Sequence, residues 1–282
     1  MQIGYTFDEK ILDAISPVEL LSQTKEMGVS SIEISPDEKI LSRKKYIHIS
    51  KLCSDLDIEI HYHVPYFADH FLYEIMNFKE YKKDIKTKYE TLMSIISDIQ
   101  NITCKPSILT IHGANYEDNK EQEKAFNNTL TFLDWLLNFL EKRNLSLKLA
   151  LETLNKSEQV IGNSREDISY ILNEFKGSKL GICWDICHDS YNYYPGKISL
   201  EDNFYDNIIY SHIHGIDLSE AKSHISIKNS DINFDDEVNF LLDKNYTGIL
   251  NLELLKSFCG NSYLDDLFGD IELLSNNIKS KK

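Results

Sequence analysis

Eight short strand-like runs recur along the chain, and amphipathic helical patterns fill the intervals between them. The runs are Gln2–Phe7, Ser31–Ser35, Ile58–His63, Ile108–His112, Leu147–Glu152, Leu180–Asp185, Ile209–His214 and Ile249–Glu253. Helical spacing marks Pro17–Met27, Lys44–Asp55, Glu80–Ile99, Gln122–Lys142, Arg165–Phe175, Asp235–Leu242 and Tyr263–Asn277, with a weaker pattern around Ile198–Asp206. Such alternation implies a parallel sheet with right-handed crossovers, either open or closed. Side-chain parity separates the two. A parallel strand covered on both faces reads as a continuous apolar run. Here the third run sets Ile58, Ile60 and Tyr62 against Glu59, His61 and His63, and the fifth sets Leu147, Leu149 and Leu151 against Lys148, Ala150 and Glu152. The seventh sets Ile209 and Ile213 against Tyr210, His212 and His214, and the eighth sets Leu250 and Leu252 against Ile249, Asn251 and Glu253. One apolar and one polar face are what a closed barrel requires, with the apolar parity under the helices and the polar parity in the lumen. The expectation is α/β, a single (β/α)8 TIM barrel.

Punctuation agrees with this layout. Ser16 before Pro17, Ser164 before Arg165, and Asn233 or Asp235 before Val238 read as helix starts, and Gly28, Gly177 and Gly260 as segment ends. A length of 282 residues without a linker or low-complexity break fits one barrel domain over 1–282. No apolar run reaches the roughly 20 residues of a membrane span, and MQIGYTFDEK lacks the basic-then-apolar pattern of a signal peptide. The expected location is the cytoplasm. Five cysteines without a CxxC pair argue for reduced thiols rather than a disulfide framework or zinc ribbon. A formal charge of −15 with no basic stripe weakens a nucleic-acid reading without closing it.

The inward parity ends, in six runs, on a side chain able to bind metal: His63, His112, Glu152, Asp185, His214 and Glu253. His188 follows three residues after Asp185. All should converge at the C-terminal mouth, where barrel active sites lie. Oxygen and imidazole donors together suit Mn²⁺, Zn²⁺, Co²⁺ or Mg²⁺, and a cation offsets the cost of gathering so many ionisable groups in one cavity. His212 and His61, one pleat deeper, read as hydrogen-bonding partners rather than ligands, and Cys183 and Cys187 as small lumen fillers. Tyr191, Tyr193 and Tyr194 in DSYNYYPG could line a pocket or form a surface loop. The acidic run Asp235-Asp236-Glu237 reads as a helix start on the favourable end of the macrodipole.

LALETLN, GICWDICHD, YSHIHGID and ILNLELL resemble the glutamate, aspartate-x-x-histidine, histidine and glutamate motifs of the xylose-isomerase-like barrels. That superfamily includes sugar and sugar-phosphate isomerases and epimerases, inosose dehydratases, and apurinic-site endonucleases of the endonuclease-IV type. The resemblance spans the whole chain. It implies Glu152, Asp185, His214 and Glu253 as metal ligands, with His188 contacting substrate or a further metal. EIHYHVPYF resembles the first-histidine motif of the endonucleases, which implies His63 as a ligand and Tyr66 as a cleft residue. LTIHGAN similarly implies His112, and KSHISI implies His224 in the aspartate-x-histidine motif of a third metal. Lys222 occupies the aspartate position there, a departure that counts against a complete trinuclear site.

Two activities follow from the resemblance. The first is a divalent-metal-dependent isomerase or epimerase of a sugar or sugar phosphate, passing through a metal-stabilised enediolate, with Glu152 and Glu253 as acid and base and His188 on a substrate hydroxyl. His63, Tyr66 and His112 would be its other substrate contacts, and no nucleotide cofactor is expected. The alternative is a zinc phosphoesterase of the apurinic-site endonuclease type, favoured by His63, Tyr66, His112 and His224. A barrel that merely binds a metal or partner, without catalysis, leaves the converging acids unexplained. The expected partner is a small carbohydrate, with no membrane and with room for a homo-oligomer.

Overall fold

The computed structural model describes residues 1–39, 41–65, 75–156, 158–196, 198 and 202–280. Ten strands are described: β1 (Gln2–Thr6), β2 (Val29–Ile34), β3 (Glu59–His63), β4 (Ser107–Ile111), β5 (Leu147–Glu152), β6 (Leu180–Asp185), β7 (Ile208–Ile213), β8 (Gly215–Asp217), β9 (Lys222–Ile225) and β10 (Ile249–Leu252). Eight of them close into a parallel barrel in the order β1-β10-β7-β6-β5-β4-β3-β2, with β1 pairing both β2 and β10. The fold is thus a (β/α)8 barrel. β8 and β9 form an antiparallel hairpin outside it, which the βα period of the sequence did not announce.

Parity decides where each strand residue goes. Leu147, Leu149 and Leu151 of β5 and Leu250 and Leu252 of β10 join the large apolar core beneath the helices. Ala150, Cys183, Tyr210 and Ile249 form a separate apolar cluster inside the lumen, with Ile108 and Ile209 against it. Ile209 departs from the expected outward face. The β6–β7 register slips between Ile182 and Cys183, and Ile209 packs where Gly181 carries no side chain. This cluster plugs the lower lumen, as branched residues do in most such barrels.

The expected caps form at two helices. Ser16 Oγ accepts the Glu19 amide at 3.2 Å ahead of helix 17–26, and Ser164 Oγ accepts the Asp167 amide at 3.1 Å ahead of helix 165–174. At helix 235–243 the cap position is Phe234, and Asn233 instead accepts the Asp235 amide at 2.7 Å. Gly28 takes φ +98°, the left-handed conformation its place after helix 17–26 requires. The sixth connection differs from expectation. A helix runs over Ile186–Tyr193 directly from the end of β6, and a short one over Asp202–Tyr205. Tyr191 and Tyr193 therefore sit on a helix, and Tyr193 and Tyr194 are exposed. Among the described residues, no helix is long and apolar enough to cross a membrane.

Candidate metal centre

The polar layer above the plug is built from Glu33 on β2, Thr110 on β4, His212 on β7 and Asn251 on β10, all fully buried. Their side chains are mutually engaged. Glu33 Oε1 accepts from Thr6 Oγ1 at 3.2 Å and Asn251 Nδ2 at 3.4 Å, and Glu33 Oε2 lies 3.1 Å from His212 Nε2. The other His212 nitrogen, Nδ1, lies 2.9 Å from Glu152 Oε1. A carboxylate–histidine–carboxylate chain therefore runs upward and fixes the rotamer of Glu152.

Above this layer the expected residues converge. His63, Glu152 and Asp185 end their strands, while His112, His214 and Glu253 stand one residue past theirs. Glu152 Oε2 lies 3.1 Å from His63 Nε2 and 2.7 Å from His112 Nε2. Asp185 is the N-cap of helix 186–193. Its Oδ1 accepts the His188 amide at 2.8 Å, which leaves Oδ2 pointing into the barrel mouth. The capping Asp and its helix's third residue thus form the Asp-x-x-His pair seen in the sequence. Gly215, next to His214, admits no side chain because a Cβ there would collide with the Ser226 carbonyl oxygen. The hairpin β8–β9 closes tightly for that reason and brings His224, at φ +57°, beside His214 with ring centroids 4.2 Å apart. Tyr66 lies outside the described residues. His61 is buried low in the lumen, where its Nδ1 accepts the Ile108 amide, well apart from this cluster.

Among the described residues, Asp185 Oδ2, His214 Nε2 and Glu253 Oε2 are buried at the mouth without a hydrogen bond; Glu253 Oε2 lies 3.2 Å from His212 Nδ1 and Asp185 Oδ2 3.4 Å from His214 Nε2. Leaving such atoms unsatisfied costs free energy, and a cation would satisfy all three at once. The histidines are prepared in the same sense. His63 Nδ1 lies 2.6 Å from the Val64 carbonyl oxygen, His188 Nδ1 3.3 Å from that of Thr153, His214 Nδ1 3.1 Å from that of Gly215, and His224 Nδ1 3.2 Å from that of Glu253. At His188 and His224 a proton on Nδ1 donates to that carbonyl and leaves the Nε2 lone pair for a cation, the arrangement usual for metal-binding imidazoles, whereas His214 Nδ1 also receives the His224 amide at 3.2 Å and His63 Nε2 faces Glu152.

Among the described residues, five groupings have donor atoms within 4.8 Å of one another, including Glu152 with Asp185, His212 and Glu253, His63 with His112 and Glu152, and His188 with His214 and His224. In the first, the carboxylates point to His212 where the family motif implies His214. Both His212 nitrogens already face carboxylates, whereas His214 Nε2 has no hydrogen bond and lies 3.4 Å from Asp185 Oδ2. His214 is thus the better donor and His212 the better orienting group. Ionisation follows the same crowding. Burial pushes the Asp185 carboxyl up, but the His188 and His214 imidazoles outweigh it and hold it well below the usual range. Burial likewise opposes ionisation of Glu253, and His212 and His224 bring it down to about 2. His63 is resisted by burial and raised to about 9 by Glu152. Burial and the neighbouring His214 lower His224 to about 4.

Glu33 escaped the sequence reading, although its parity in Ser31–Ser35 and its flanking isoleucines carried the signal. Glu9 lines the cavity from the start of a short 3₁₀ helix over 9–13 and Glu158 from a loop, where no strand periodicity speaks for them. If Glu33 acts through His212 on Glu152, Glu33→Gln should weaken divalent-metal binding by about 10–100-fold with secondary structure unchanged. Equilibrium metal titration decides this, and an affinity equal to the parent's would remove Glu33 from any orienting role.

A family model described as xylose isomerase-like TIM barrel matches residues 21–258. Among solved structures, a D-tagatose 3-epimerase-like protein superposes with a TM-score of 0.70 at 16% identity, covering 100% of this chain and 99% of that one. D-allulose 3-epimerase from Methylomonas sp., in complex with D-allulose, gives 0.64 at 14% identity over 99% and 95%. At these identities the likeness is one of fold. "Probable endonuclease 4" of Mycoplasma capricolum subsp. capricolum is 26% identical over 152 residues, and the match spans 50% of this chain and 51% of that relative. An uncharacterized protein of Methanocaldococcus jannaschii is 26% identical over 247 residues, 84% of this chain and 83% of its own. With the barrel, its strand-end acids and histidines, and a family match over most of its length, the chain belongs to the xylose isomerase-like TIM barrels.

Proposed function

We propose that the chain is a divalent-metal-dependent isomerase or epimerase of a small sugar, working by proton transfer at the carbon beside a carbonyl. The observation that carries this reading is the trio of buried, unbonded donor atoms on Asp185, His214 and Glu253. Glu253 lines a cavity of about 380 Å³ with Glu152, His63, His112, His188 and Glu158, and Asp185 and His214 are fully buried beside these residues. The solved sugar 3-epimerases of similar fold support it. Glu152, Asp185, His214 and Glu253 would hold the ion, which when bound polarises neighbouring carbonyl and hydroxyl oxygens of a substrate.

The chain's own residues do the rest. Glu152 and Glu253 approach from strands three steps apart around the barrel, β5 and β10. One takes the proton from carbon and the other returns it, on the same face or the opposite one. His212 keeps Glu152 oriented through Nδ1. His188, its Nδ1 toward the Thr153 carbonyl, turns Nε2 to a substrate hydroxyl. His63, His112 and Tyr66 supply further substrate contacts. Neither a nucleotide cofactor nor a nucleic-acid partner enters this scheme.

Metal analysis of the purified protein followed by turnover in D₂O tests the reading. About one Mn, Co or Mg per chain and deuterium at the carbon next to the carbonyl of a ketose are expected. Turnover of a ketose with no exchange at any pH would argue against proton transfer through solvent-exchangeable Glu152 or Glu253.

A second reading, the zinc phosphoesterase of the endonuclease-IV type, is favoured by the two flanking groups, His63–His112–Glu152 and His188–His214–His224. Two or three zinc ions per chain and cleavage of apurinic-site DNA would establish it. Lys222, on β9 in place of a carboxylate, offers no lone pair while protonated and counts against it.

A further inference from the structure

Facing these groups across the cavity is a second polar surface, contributed by the C-terminal ends of β1 and β2. In the barrel order β1 stands four strands from β5, diametrically opposite Glu152. Thr6, Asp8, Glu9, Glu33 and Ser35 line this side. Most of their carboxylate and hydroxyl groups are committed to holding the protein together. Thr6 Oγ1 donates to Glu33 and accepts from Asn251 Nδ2 at 2.9 Å. Asp8 accepts the Lys10 amide at 2.9 Å through Oδ1 and the Lys256 amide at 2.8 Å through Oδ2, tying the loops after β1 and β10 together. Glu33 is spent on His212 and its neighbours.

Glu9 is different. Its Oε1 lies 3.3 Å from the Tyr46 hydroxyl. Tyr46 is fully buried, and its oxygen accepts the Asp37 amide at 3.0 Å, so it is a fixed anchor. A half-buried carboxyl steadied on one oxygen and facing a cavity is built to meet a ligand.

We infer that Glu9 is a substrate-binding residue, holding a hydroxyl of the sugar at the end turned away from Glu152 and Asp185. The inference rests on the isomerase or epimerase reading above. Burial pushes the Glu9 carboxyl up to about 7, with Asp8 adding to it and its own main-chain amide, Tyr46 and Lys10 opposing it. Near neutral pH the group can therefore donate as well as accept, which matches the two-way hydrogen bonding of a hydroxyl.

The test compares the metal-loaded parent with Glu9→Ala and Glu9→Gln on a panel of free ketoses that includes D-fructose and D-allulose. Glu9→Ala should raise KM at least tenfold and leave kcat within threefold, with metal content unchanged. Glu9→Gln, which keeps a donor and an acceptor, should return KM to within threefold of the parent. A KM within twofold of the parent in Glu9→Ala overturns the inference and leaves the proposed function standing. If the parent turns over no ketose of the panel, the proposed function falls and this inference falls with it.

Discussion

Asp185→Asn should weaken divalent-metal binding more than about 100-fold while the protein keeps its fold. Orienting partners of metal ligands are themselves worth about 10–100-fold in affinity, and a direct ligand should exceed them. The separation of fold from binding comes from the two jobs of Asp185. Its Oδ1 caps helix 186–193 by accepting the His188 amide, and asparagine caps as well as aspartate. Its Oδ2 has no hydrogen bond and lies 3.4 Å from His214 Nε2, and the charge lost there is the part turned toward the other candidate ligands. Glu152→Gln should match the loss in affinity and, at saturating metal, still lower kcat by about 10²–10⁴-fold, the range for removing an acid or base. Metal titration, unfolding by denaturant and steady-state kinetics read these separately. Affinity within threefold of the parent in both variants would sink the ligand assignment. Loss of helical circular dichroism in Asp185→Asn would instead mean that the cap needs the charge.

How far this could be read beforehand depended on whether a residue's position followed from strand parity. His63, Glu152 and Asp185 stand at the ends of β3, β5 and β6 where alternation placed them, and the strand bounds Leu147–Glu152 and Leu180–Asp185 agree residue for residue. Parity is a local property with a period of two, so a run of five or six residues fixes it. His112, His214 and Glu253 lie just past their strands yet keep the same direction, because the chain stays extended for one more residue. Where the backbone turned, the sequence lost its grip. The hairpin β8–β9 carries His224 to His214 through a left-handed residue and a tight approach at Gly215, neither of which a polar loop sequence announces. Helix 186–193 was hidden in DSYNYYPG because its cap, Asp185, had already been read as a strand end and a ligand. It is both. Glu158 reaches the cavity from a loop, Glu9 from the start of a 3₁₀ helix, and Glu33 from a strand position of the same parity as the candidate ligands.

Asp189→Ala should destabilise the protein by about 3–5 kcal/mol, the usual cost of removing one partner of a buried ion pair. Asp189 is the partner at which three elements meet. Arg165, opening helix 165–174, reaches Asp189 Oδ2 with Nε at 3.1 Å and Nη2 at 2.6 Å, and Trp184 Nε1 on β6 donates to the same oxygen at 2.9 Å. The Arg165 guanidinium lies over the rings of Tyr193 and Phe204, at 5.4 and 4.9 Å. Stacking of this kind removes water from the charge and makes the arginine dependent on its carboxylate. Truncation at 189 strands a largely buried guanidinium and a fully buried indole N–H together. The double variant Asp189→Ala, Arg165→Ala should recover part of the loss, because the orphaned charge goes with it. Equilibrium unfolding in urea measures the full cycle. A loss below about 1 kcal/mol in the single variant would show that water reaches Arg165, and that the pair behaves as a surface bridge. The same segment bears on activity: Asp189 follows His188 on the first turn of the helix, so the ion pair also holds the imbedded end of the helix that aims His188 at the cavity. Loss of stability in Asp189→Ala should therefore come with a lower kcat even at temperatures where the variant is fully folded. An unchanged kcat in folded Asp189→Ala would mean that the cap at Asp185 positions His188 unaided.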